Sequence, residues 1–116
     1  MKIKILIIDD DRKRQEEWEW LLELFPVQII QAFSIDEAEK IFNDTRNLDG
    51  IVVDACVPGH KPNTMEIVRN FRRSFSGPLI AISSIEIFND MLISAGCNHK
   101  SEKDKLVEKI KQIFNF

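Results

Sequence analysis

At 116 residues, with 44% hydrophobic and 30% charged side chains, the chain has the size and composition of one globular domain with its own core. A net charge of -3 without a basic run argues against a nucleic-acid surface built on phosphate neutralisation, since Arg12-Lys13-Arg14 and Arg72-Arg73 read as solvated helix faces. No signal peptide or membrane span is legible, so a cytoplasmic protein is expected, and Cys56 and Cys97 read as reduced packing residues.

The first element is the run Ile5-Leu6-Ile7-Ile8, which leads straight into Asp9-Asp10-Asp11. Four apolar residues without alternation predict a strand buried on both faces, ending where the acids reach solvent. Adjacent carboxylates repel by roughly a few kcal/mol per close pair at intermediate dielectric, so a cation is expected beside them. A helix N-terminus explains one acid of the three. Trp18, Leu21, Leu22 and Phe25 then recur at helical spacing, predicting a helix from Arg12 to Leu24 that Pro26 ends. Trp18 reads as core and Trp20 as half-exposed.

Val27 to Ala32 reads as an edge strand because polar residues interrupt it. Ser34-Ile35-Asp36-Glu37 has the capping-box pattern and opens a helix carrying Ala38, Ile41 and Phe42. Gly50-Ile51-Val52-Val53-Asp54 is a second buried run that ends in a carboxylate, followed by Pro58-Gly59 in a loop. A helix signalled by Pro62-Asn63 carries Ile67, Val68 and Phe71. Pro78 to Ile82 is a third central strand, ending in Ser83-Ser84. Its helix, with Ile87, Met91 and Leu92, stops at Gly96, a left-handed cap. Asn98 to Ser101 is a weak polar strand, and Leu106, Ile110, Ile113 and Phe114 line a last helix.

Strand and helix thus alternate five times, which predicts a doubly wound α/β domain over residues 1–116. The expected sheet is parallel, five-stranded and flavodoxin-like, with order 2-1-3-4-5 and helices on both faces. That order puts the three apolar strands in the centre and the two mixed ones at the edges. The functional crevice of such a sheet lies beyond the carboxyl ends of its central strands, where Asp9, Asp10, Asp54 and Ser83 fall. A divalent cation such as Mg²⁺, which takes one or two carboxylates and keeps several waters, suits that set.

With these residues in place the chain resembles a response-regulator receiver domain of two-component signalling over essentially its whole length. The resemblance implies Mg²⁺ bound by Asp9, Asp10, Asp54 and the backbone carbonyl of Cys56, with Asp54, four residues before Pro58-Gly59, as phosphoacceptor. It also implies a switch hydroxyl at Ser83, five residues after Pro78, and a phosphoryl-contacting lysine of the fifth strand at Lys103, seven residues after Gly96. Lys100 is the alternative lysine. By the same likeness the protein is a single-domain response regulator that takes its phosphoryl group from a histidine kinase or phosphotransfer protein. It signals through protein contacts and is no enzyme beyond its own phosphorylation and dephosphorylation.

Departures from the family pattern are Asp104 in place of a proline after the lysine, Lys100 in place of an aromatic, a shorter helix after Ser84 and extra loop residues at His60-Lys61-Pro62. These keep a phosphorylation-independent interaction module open as an alternative. A third reading, a haloacid-dehalogenase-like phosphatase, would make Asp9 the nucleophile. Neither His60 nor His99 is assigned a role.

Overall fold

The computed structural model describes residues 2–116. Five strands, β1 (Ile3–Ile8), β2 (Val27–Ala32), β3 (Gly50–Asp54), β4 (Leu79–Ile82) and β5 (His99–Ser101), form one sheet. The order is β2-β1-β3-β4-β5 and every pairing is parallel. Helices α1 (Arg12–Leu22), α2 (Ile35–Asp44), α3 (Met65–Arg72), α4 (Glu86–Ala95) and α5 (Leu106–Phe114) make the connections, with a short 3-10 helix at Lys103–Lys105 before α5.

Because a strand sends alternate side chains to opposite faces, each central apolar run feeds two cores. Leu6, Ile8, Ile51, Val53, Leu79 and Ala81 pack with α2, α3 and α4 on one side of the sheet. Ile5, Ile7, Val52, Ile80 and Ile82 pack with Trp18 and Leu22 of α1 and with Leu106 and Ile110 of α5 on the other. Burial on both faces is why those runs show no alternation, and the expected sheet order follows from it.

Several local expectations are corrected. The first helix stops at Leu22 rather than Leu24. Pro26 offers no N–H and restricts the residue before it, so the chain tightens into a turn in which the Phe25 amide donates to the Leu22 carbonyl at 3.0 Å. Leu21 and Leu24 are exposed as a result, and Phe25 packs from the connection. The buried stripe is instead Gln15, Trp18 and Leu22, while Trp20 is 72% exposed.

In α4 the inward face is Asn89, Leu92 and Ala95, and Ile87 and Met91 of the expected stripe are exposed. The rotation follows from Asn89, whose Nδ2 donates to the Ser83 carbonyl at 3.1 Å. Gly96 caps this helix at φ 142°, a backbone angle that a side chain tolerates poorly, and the Cys97 amide reaches back to the Leu92 carbonyl.

Arg72 is no solvated charge. Its Nε donates to the Gly96 carbonyl at 2.9 Å, and Nη1 donates to those of Phe75 at 2.8 Å and Gly77 at 2.9 Å, so one guanidinium ties α3 to two loops. The fifth strand is shorter than Asn98 to Ser101, because Asn98 uses its side-chain oxygen to accept from the Leu79 amide, as a strand carbonyl would. Lys103 therefore stands beyond β5, in the 3-10 helix.

Candidate functional site

The site is built where β1 and β3 stop. Beyond Ile8 the three aspartates separate into three situations. Asp11 caps α1, its Oδ1 accepting from the Arg14 amide at 3.1 Å, the ordinary use of an acid at a helix start. Asp10 is exposed. Asp9 is 0% exposed, and its Oδ1 accepts from the Asp11 amide at 3.0 Å.

Asp54 ends β3 and is likewise buried. The strand end is held by Thr64, whose hydroxyl lies 2.7 Å from the Asp54 carbonyl and 3.1 Å from that of Ala55. Asn63 holds the loop beyond, its Oδ1 accepting from the Val57 amide at 2.8 Å and its Nδ2 donating to the Val57 carbonyl at 2.9 Å. The two ties explain why α3 begins at Met65, past the Pro62-Asn63 signal: both residues spend their side chains on the loop.

Lys103 comes between the acids. Its Nζ lies 3.0 Å from Asp54 Oδ2, in a hydrogen bond, and 3.0 Å from Asp9 Oδ2. The second contact is an ion pair, so one ammonium is shared between two buried carboxylates. Burial pushes the Asp54 carboxyl up from 3.8 to about 6, against the pull of Lys103 and with the push of Asp9. Burial also disfavours the Lys103 ammonium, but Asp54 and Asp9 outweigh it and hold its pKa above the ordinary value.

Carboxylate oxygens of Asp9, Asp10 and Asp54 lie within 4.8 Å of one another, so three acids face one ammonium. The donor set fits a hard divalent cation: three carboxylates offering oxygen ligands only, two of them buried, and in Asp10 an exposed acid open to a partly hydrated ion.

The remaining predicted residues are placed as follows. Ser83 is buried one residue past β4, its Oγ accepting from the Ile85 amide at 3.1 Å. Lys100 stays outside the cluster, with Nζ 3.1 Å from Asp90 Oδ1 and 3.9 Å from Glu86 Oε1 on α4. Cys56 is half-buried two residues past Asp54, and its thiol is pushed up by burial and then by Asp54 and Asp10, with Lys103 pulling the other way. His60 is exposed, and His99, half-buried on β5, is lowered by burial and by Lys109.

Sequence reasoning missed Gln15, Thr64 and Asn89. Gln15 and Asn89 left a signal, a polar residue at an inward helical position; Thr64 left none. A groove of about 510 Å³ between α1 and β2, lined in part by Trp20 and Glu16, contains no member of the acid cluster. Volume and chemistry lie apart here, and the chemistry marks the site.

Neither a protein-family model nor a curated protein sequence matches the chain. Solved structures do. A response regulator receiver protein from Pseudoalteromonas atlantica superposes with a TM-score of 0.81 at 20% identity, over 97% of each chain. A two-component response regulator from Clostridium difficile gives a TM-score of 0.83 at 19% identity, over 98% of this chain and 97% of the other. A response regulator from Thermotoga maritima gives 0.79 at 18% identity over the whole of both. The chain has the fold of response-regulator receiver domains.

Proposed function

We propose that this chain works as a response-regulator receiver domain, taking a phosphoryl group on Asp54 from a histidine kinase or phosphotransfer protein and passing the signal on by protein contacts. The observation that carries the reading is the clustering of Asp9, Asp10 and Asp54 at the carboxyl ends of the central strands, with Lys103 paired to Asp9 and Asp54. Among the described residues no helix is long and apolar enough to cross a membrane, in keeping with such a role.

In the proposed reaction one Asp54 oxygen attacks the phosphorus of a phosphohistidine. The P–N bond breaks, its electron pair passes to the imidazole nitrogen, and a proton taken up there releases neutral histidine. With its carboxyl at about 6, Asp54 is mostly ionised at neutral pH and available as nucleophile. Lys103, already bonded to Asp54 Oδ2, offsets negative charge on the oxygens in transit. Mg²⁺, when held by Asp9, Asp10, Asp54 and the Cys56 carbonyl, supplies the remaining charge neutralisation.

The Ser83 hydroxyl accepts from Ile85, which leaves its own hydrogen to donate. A swing of the Ser83 side chain about χ1, carrying the hydroxyl to an acyl phosphate on Asp54, takes Oγ away from the amide of Ile85, the residue that opens α4. The exposed Ile85, Ile87 and Met91 move with that turn, so a local charge change alters an apolar surface. Asp9 is a poor nucleophile by comparison, fully buried with Oδ1 bonded and Oδ2 against Lys103, which weighs against the phosphatase reading.

The test is incubation with Mg²⁺ and acetyl phosphate, read by intact mass. One phosphoryl adduct is expected in the wild type and none in Asp54→Asn. An adduct that persists in that variant and maps to Asp9 hands the chain to the phosphatase class. No adduct in either leaves a phosphorylation-independent module.

A further inference from the structure

The ladder between β1 and β2 ends at Ile8 and Ala32, and past it the Asp9 amide donates to the Ala32 carbonyl at 3.1 Å. What holds the next peptide is a side chain. Gln15, 0% exposed in the first turns of α1, brings its Nε2 to 2.9 Å from the Ile7 carbonyl and 3.1 Å from the carbonyls of Asp9 and Ala32. We propose that Gln15 is a positioning residue for the cation site, holding the Asp9–Asp10 peptide so that both carboxylates point into it.

The Asp9 carbonyl belongs to the planar peptide that joins Asp9 to Asp10, so fixing it fixes the plane from which Asp10 departs. Asp10 is otherwise an exposed residue in the short link between a strand and a helix. The brace is itself braced, since Gln31 Nε2 donates to the Gln15 carbonyl and to Glu19 Oε2, both at 3.0 Å.

Three features separate this from ordinary packing. Gln15 shares its inward stripe with Trp18 and Leu22, where packing against the core by itself asks only for an apolar side chain. Its Oε1 is buried with no donor, a cost accepted for the sake of the nitrogen, because the flipped amide would set oxygen against three carbonyls. Finally, the amide is neutral. A lysine or arginine would also donate, but would add a cation beside carboxylates that need to attract one.

The inference rests on the Mg²⁺ reading above, and the experiment keeps the two apart. MgCl₂ is titrated by calorimetry into wild type and Gln15→Met, and phosphorylation by acetyl phosphate is then timed at saturating Mg²⁺. Loss of a group that orients a metal ligand typically weakens binding about tenfold or more, so that loss is expected in Gln15→Met. The rate at saturating metal should stay within about threefold, because Gln15 acts through the ligands and not on the phosphoryl group.

In wild type, the Gln15 side-chain amide signals in a ¹⁵N spectrum should shift with the same Mg²⁺ midpoint as the backbone amides of Asp10 and Asp11. That measurement decides the matter if Gln15→Met does not fold. The proposal is overturned if Gln15→Met binds Mg²⁺ within about twofold of wild type, if its rate at saturating metal falls as far as its affinity, or if the Gln15 signals ignore the metal. A wild type that binds no Mg²⁺ overturns the metal reading itself.

Discussion

Replacing Asp54 by Asn should make the protein more stable, and only above a definite pH. Asp54 is buried with a carboxyl raised from 3.8 to about 6, so between those values the folded state holds a proton that the unfolded chain has released. Stability therefore falls as pH rises through this window. At about 1.4 kcal/mol per pH unit, the full loss above about pH 7 is about 3 kcal/mol. Asp54→Asn resembles the wild type with Asp54 protonated, since Lys103 then keeps only Asp9 in both. The variant should match the wild type near about pH 4 and exceed it by about 1–3 kcal/mol near about pH 8. Urea unfolding without divalent cations, followed by the fluorescence of buried Trp18, measures both, and an unchanged m-value keeps the comparison valid. A difference independent of pH, or a wild type more stable at the higher pH, would refute the reasoning. Millimolar Mg²⁺ should narrow the gap by stabilising the wild type.

Asp10→Ala should weaken Mg²⁺ binding about tenfold or more, and calorimetric affinity equal to wild type would remove Asp10 from the ligand set. Lys103→Ala should slow phosphorylation of Asp54 about a hundredfold, as loss of a transition-state donor does, whereas Lys100→Ala should leave the rate unchanged and cost less than about 1 kcal/mol. The opposite ranking in a mass-resolved time course would assign the role to Lys100. Arg72→Ala should cost about 2–4 kcal/mol in urea unfolding, because three loop carbonyls lose a charged donor; a cost below about 0.5 kcal/mol would return Arg72 to the solvated face first assigned to it.

The sequence by itself determined the sheet. Ile5 to Ile8, Ile51 to Val53 and Leu79 to Ile82 are apolar without alternation because both faces of a central parallel strand are covered, a demand written into consecutive residues. The acids that end two of those runs had to share the crevice once the strand order was set. Only the tertiary structure decided the rest, because it depends on contacts between residues far apart in the chain. The rotation of α4 is set by Asn89 reaching Ser83, which no count of its apolar residues reveals. Both Lys100 and Lys103 lie near the end of β5, and pairing with β4 ends that strand at Ser101, while acids on α4 draw Lys100 outward and a 3-10 turn carries Lys103 in to Asp9 and Asp54. The raised carboxyl of Asp54 belongs to this level too, since burial and a neighbouring charge are properties of the assembled site and the isolated residue has neither.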